Sequence, residues 1–164
     1  SLKRNHKKRK TMALTIGNKI PEILGKDQNG NEIKANDFAG KKLALYFYPK
    51  DNTPGCTAQA CSLRDGYADL KKAGYEIVGV SIDSKASHQK FIEKFSLPFP
   101  LIADIDKKLV QEFGVWQEKK NYGKTYMGTV RTTFLIDENG IIQHILEGRK
   151  VNTKNHAEQI LELE

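Results

Sequence analysis

The chain has 164 residues, of which 38% are hydrophobic and 29% charged, with 13 glycines, five prolines and two cysteines. This composition excludes a collagenous, coiled-coil or low-complexity protein, two cysteines are too few for a secreted disulfide scaffold, and no apolar run approaches the ~20 residues that span a bilayer. The formal net charge of +7 belongs mostly to one end, where Lys3, Arg4, Lys7, Lys8, Arg9 and Lys10 stand without an acid.

Residues 1–12 repel themselves and bury nothing, so they read as a disordered basic tail. Such a run can anchor a chain to nucleic acid or an anionic surface. The plainer reading is a solvated extension or a mis-set start, with Met12 as the natural beginning. No apolar stretch follows the basic run, so it does not read as a secretory signal. Residues 13–164 show no linker or repeat and suit a single domain. Near its start, Ile23-Leu24 and Glu32-Ile33 flank the turn dipeptide Asn29-Gly30, which predicts a small hairpin. Residues 43–48 form a continuous apolar run ended by Pro49, as in a strand buried on both faces. Residues 54–73 follow with helical spacing, Ala60, Leu63, Tyr67 and Leu70 sharing a face and Gly74 closing the helix. A second buried strand covers 77–82. A second helix runs from 84 to 95, with Ser84 as its N-cap. After Pro98-Phe99-Pro100 come a short strand at 101–103 and a short helix at 107–113. A third strand at 132–136 turns through 137–140 into a hairpin partner at 141–146, and an amphipathic helix at 153–163 closes the chain. Alternating strands and helices imply a parallel sheet covered by helices, and the late hairpin makes that sheet mixed. The expected fold is α/β and thioredoxin-like: a central mixed β-sheet flanked by helices, with an N-terminal β-hairpin.

The chemistry concentrates in residues 48–61, YPKDNTPGCTAQAC. Thr53 is a good N-cap, and Pro54 suits the first helical position, where its missing N–H is not needed. Cys56 then falls in the first turn, beside unpaired backbone N–H groups and the positive end of the helix dipole. Both favour thiolate over thiol, which nominates Cys56 as a reactive nucleophile; a small buried hydrophobe is the alternative. Cys61 lies five positions on. On an intact helix that spacing is about 500° of rotation and ~7.5 Å of rise, too far for a disulfide, which needs Cα atoms under about 7 Å apart. Joining the two cysteines requires the helix to unravel locally.

Pro49-x-x-x-Thr53-x-x-Cys56 resembles the peroxiredoxin active-site signature. Cys61 after four intervening residues resembles the Q branch, also called bacterioferritin comigratory protein. The stretch from Tyr122 to Gly128 leading into Arg131 and 132–137 resembles that branch's segment with the active-site arginine. The likeness runs from Thr15 to the last helix and leaves the basic tail aside. It implies a thioredoxin-dependent peroxidase that reduces hydrogen peroxide and organic hydroperoxides. Cys56 would be the peroxidatic cysteine, passing through a sulfenic acid. Cys61 would resolve it as an intrachain disulfide, and a thioredoxin-like dithiol would restore both thiols. Thr53 would orient peroxide and sulfur, Arg131 would stabilise the thiolate and developing charge, and Pro49 would shield the sulfenic acid. The resemblance further implies no metal or organic cofactor, no nucleic acid on the folded domain, no membrane, a cytoplasmic location, and a monomer or weak homodimer.

The alternative is a dithiol–disulfide exchanger on the same fold, although such proteins use Cys-x-x-Cys. A metal-binding module would need further soft ligands. His6, His88, His144 and His156 have no ligand spacing and read as solvated polar residues. Asp104 and Asp106 read as solvated or capping. Phe47, Tyr48, Phe95, Phe99, Trp116 and Phe134 read as core or pocket wall.

Overall fold

The computed structural model describes residues 13–163; the basic segment of residues 1–12 lies outside them. The two flanks of Asn29-Gly30 pair as an antiparallel hairpin, β1 (Ile23–Lys26) and β2 (Glu32–Lys34). The apolar run 43–48 becomes β3 (Lys42–Phe47), the middle strand of a five-stranded sheet. On one side it pairs in parallel with β4 (Tyr75–Ser81), which pairs in parallel with β5 (Leu101–Ala103). On the other it pairs antiparallel with β8 (Thr132–Ile136), which pairs antiparallel with β9 (Ile142–Glu147). The order is β5-β4-β3-β8-β9, the mixed sheet expected from the succession of elements.

Successive side chains of a strand face opposite ways, and β3 feeds two cores. Leu43, Leu45 and Phe47 pack with Val78, Val80, Phe113 and Phe134 under the N-terminal hairpin. Ala44 and Tyr46, with Tyr48 beyond the strand, pack with Cys56, Ala60, Leu63, Phe91 and Phe99 under the helices. This is why the run has no polar alternation.

The helix expected over 54–73 is two helices, α1 (Pro54–Asp65) and α2 (Tyr67–Lys72), broken at Gly66. The break lets the chain turn against the last helix, where a Cβ on Gly66 would collide with the Cβ of Ala157. Helix α3 (Lys85–Phe95) starts at Ser84, whose hydroxyl accepts from the Ser87 N–H at 3.1 Å. Helix α4 is Lys108–Glu112. Its opening N–H groups, from Leu109 and Val110, donate to Asp104, so Asp104 is buried and capping rather than solvated. Helix α5 (His156–Glu162) begins three residues later than the amphipathic pattern indicates.

One element has no counterpart in the predicted order. Strands β6 (Trp116–Asn121) and β7 (Lys124–Thr129) form a separate hairpin. Its turn residues Tyr122 and Gly123 both have positive φ, 51° and 77°, as a two-residue primed turn requires. Eight of its twelve strand residues are Gln, Glu, Lys, Asn or Thr, so no apolar run announced it. Among the described residues no helix is long and apolar enough to cross a membrane.

Candidate active site

The site forms where the C-terminal end of β3 meets the N-terminal end of β8. Because these strands are antiparallel and Phe47 stands opposite Thr132, the loop leaving β3 lies beside Arg131. Helix α1 opens as its residues indicate: Thr53 is the N-cap with extended backbone and Pro54 is the first helical residue. Cys56 sits in the first turn with 2% exposure, so its sulfur faces inward, toward the strand end. The Arg131 Nη2 donates to Cys56 Sγ at 3.4 Å, and Nη1 donates to Gln59 Oε1 at 2.6 Å. Gly55 clears the path: a Cβ there would stand 3.1 Å from Nη2. A cationic donor and a helix N-terminus thus converge on one sulfur.

Thr53 caps through its backbone alone. Its carbonyl accepts from the Thr57 N–H at 2.8 Å, while its hydroxyl donates to the Lys50 carbonyl at 2.8 Å. With that proton committed, the hydroxyl oxygen keeps lone pairs for an incoming donor. Pro49 ends the strand and is half-buried. Cys61 is half-buried on the intact α1, and both cysteines are free thiols.

Three buried side-chain polar atoms have no partner among the described residues: the Tyr46 hydroxyl, Gln59 Nε2 and Thr129 Oγ1. Gln59 touches Arg131, Thr129 precedes it by two residues, and Tyr46 packs in the same core as Cys56. Native interiors hold few such groups, and here they gather around one site. Burial pushes the Tyr46 phenol well above its ordinary value, and the charges of Cys56 and Asp51 push the same way, so it stays a neutral donor. Lys119, on β6, donates to the Thr129 carbonyl at 2.7 Å. Burial and the neighbouring Arg131 lower its ammonium from the ordinary value.

Two histidines read as solvated are fully buried, His88 and His156, and both ring nitrogens of each have a polar partner. The His156 Nε2 meets the Thr133 hydroxyl of β8 at 2.8 Å, and its Nδ1 meets Gln159 Oε1, one turn on in the same helix, at 2.9 Å. Burial, chiefly, lowers it to about 4, so it is neutral near pH 7. His144 is exposed. Two surface clefts lie around Leu43, Leu135, Ile136 and Asp137, at the other end of the sheet.

Gln59 is the site residue that sequence reasoning missed with a signal in reach. It falls three positions after Cys56, on the same helix face. Lys119 carried no such signal.

The AhpC/TSA family matches residues 16–145 of the chain. Peroxiredoxin Bcp of Bacillus subtilis is 47% identical over 151 residues, 92% of this chain and 95% of that protein. Peroxiredoxin Bcp of Escherichia coli K12 is 44% identical over 148 residues, 90% and 94% of the two chains. Among solved structures, a cysteine-to-serine mutant of Xylella fastidiosa PrxQ superposes with a TM-score of 0.83 at 31% identity, covering 93% of this chain and 96% of that one. A mutant of Xanthomonas campestris peroxiredoxin Q gives 0.78 at 38% identity, covering 84% and 87%. With the mixed sheet, the motif at the head of α1 and these relatives in agreement, the chain belongs to the AhpC/TSA family, in its Bcp or Q branch of peroxiredoxins.

Proposed function

We propose that Cys56 is the peroxidatic nucleophile of this enzyme and Cys61 its resolving partner. As a member of the Bcp branch the chain is a thiol-dependent peroxidase; the assignment of roles to its residues is our reading. The observation that carries it is the Arg131 guanidinium 3.4 Å from a cysteine sulfur at the start of α1.

The Cys56 thiolate attacks one peroxide oxygen in line with the O–O bond. An S–O bond forms, the O–O bond breaks, and the second oxygen leaves with a proton as water or alcohol, giving a sulfenic acid. Arg131 supports the charge on sulfur and on the departing oxygen. The Thr53 oxygen accepts from the peroxide hydroxyl, and Pro49 limits water at the sulfur. The Cys61 thiol then attacks the sulfenic sulfur and expels water, leaving an intrachain disulfide. On the intact helix the two cysteines are held apart, so this step unwinds part of α1. A thioredoxin-like dithiol returns the disulfide to two thiols. The reading extends to organic hydroperoxides, since a solved neighbour, the Xanthomonas campestris bacterioferritin comigratory protein, is described by its alkyl peroxide reduction. It also takes residues 13–164 as one domain acting as a monomer or weak homodimer in the cytoplasm, where dithiol reductants keep such cysteines reduced.

The test is stopped-flow peroxide reduction followed by mass spectrometry of the product. Cys56→Ser is expected to abolish reaction. Cys61→Ser is expected to complete one round, stop at the sulfenic acid and lose thioredoxin-driven turnover. Unchanged turnover in either variant removes that residue from its role.

A further inference from the structure

The loop 49–53 places Thr53 and the first turn of α1, and its middle residue is anchored to partners other than the sulfur. Asp51 is buried. Its Oδ1 accepts from the Tyr48 hydroxyl at 2.5 Å, and its Oδ2 meets the Ser87 hydroxyl at 2.8 Å and His88 Nδ1 at 2.7 Å. Its N–H donates to Asp83 Oδ2 at 2.8 Å, which also accepts from the Ser81 hydroxyl at 2.7 Å. His88 has no exposed surface, and its Nε2 lies 2.9 Å from the Ile102 carbonyl. A carbonyl only accepts, so Nε2 carries a proton. Nδ1 faces Oδ2 across 2.7 Å, a hydrogen-bonding distance.

Asp51, Asp83 and His88 bring their ligand atoms within 4.8 Å of one another, the spacing of a metal cage. Each of those atoms is already used in a hydrogen bond, so the cluster works as a strut. It ties the loop to the end of β4, to α3 and to β5 at once. Between Asp51 and Thr53, Asn52 sits at φ 60°. Asparagine is among the few residues other than glycine that adopt this left-handed conformation readily, so the turn is one its residue suits. The Thr53 hydroxyl in turn is bonded to Lys50, inside the same loop. Its position therefore follows the loop, and the loop follows Asp51.

We infer that Asp51 and His88 are positioning residues for peroxide reduction, holding the loop where the Thr53 oxygen and the Cys56 sulfur meet one substrate molecule. The inference rests on the roles given above to Cys56 and Thr53. Neither Asp51 nor His88 bonds to the sulfur; both act through the loop. A misplacement of about 1 Å at reacting groups can cost ~10²-fold in rate.

The experiment compares two reactions of Cys56 in the reduced, full-length protein: with hydrogen peroxide by stopped flow, and with iodoacetamide, which needs no hydroxyl from Thr53. His88→Leu removes both ring contacts. Asp51→Asn is the milder variant, measured alongside so that the result stands if His88→Leu does not fold. In the folded variants the peroxide rate is expected to fall about tenfold or more, with alkylation level or faster. His88→Asn, which keeps a donor toward Asp51, is expected to recover part of the peroxide rate. A smaller fall in peroxide rate, a matching fall in alkylation, or no recovery with His88→Asn overturns the inference. Cys56→Ser, run in parallel, separates the two levels: if it still reacts with peroxide, the assignment of the nucleophile fails; if it is inert and the split is absent, the positioning role alone fails.

Discussion

The sulfur of Cys56 lies between a strand side and a helix side that are built by different means. Arg131 leads into β8, whose residues pair with β3 on one edge and β9 on the other. Its backbone carbonyl is held by the Gly148 N–H at 2.7 Å. The helix side has no such ladder. Its loop is tied by side-chain bonds through Asp51 and Thr53, and α1 ends after 12 residues at Gly66. Gln59, on α1 itself, carries a buried Nε2 without a partner among the described residues. Held by side-chain bonds rather than a backbone ladder, this side is the cheaper one to rearrange. The contrast fits a reaction in which the cation stays put and the cysteines move.

The largest way to break the contrast is at the cation. Arg131→Met is expected to slow the peroxide step by about 10²–10³-fold, the usual cost of one preorganised donor, with little change in thermal unfolding. Stopped-flow rates set beside a melting curve decide it; an equal loss of stability would mean that the strand side depends on the guanidinium for its structure.

The strand side is also expected to fail in acid through His156, which joins β8 to α5. Its folded value of about 4 lies below the 6.5 of a free histidine. As pH falls the unfolded chain therefore takes up this proton first. Stability is full above about pH 6.5 and is lost on the way to about pH 4, by an amount on the order of 3 kcal/mol. Urea unfolding at pH 7 and pH 4.5 measures it, and His156→Gln is expected to flatten that slope.

The smallest effect sharpens the helix side. Gly66→Ala pushes a methyl group onto Ala157 and is expected to cost about 1–3 kcal/mol, as overpacking does. Adding Ala157→Gly is expected to return part of that loss. If the single variant is as stable as the parent, the α1–α5 contact is looser than the packing indicates.

Much of the helix side was legible because its signals are local. Pro49, Thr53, Pro54 and Cys56 sit within eight residues, each with a conformational reason for its place. The strand side was not legible from the residues alone. Arg131 lies 75 residues from Cys56, and only a family likeness pointed to it. His88 shows the same limit: as a polar residue on an amphipathic helix it reads as solvated, and its partners, Asp51 and Ile102, are 37 and 14 residues away. The hairpin of β6 and β7 was hidden for another reason. It lies apart from the main sheet and buries little, so its sequence has no apolar alternation to reveal it. The break at Gly66 was hidden because apolar spacing continued across it.

The pairing of β3 with β8 also sets when chemistry becomes available to a growing polypeptide. Synthesis delivers Cys56 first; the Arg131 guanidinium emerges 75 residues later. Contacts that close so long a loop form late. An unfinished product on the ribosome thus exposes Cys56 without its guanidinium, and the central ladder, once zipped, is what completes the site.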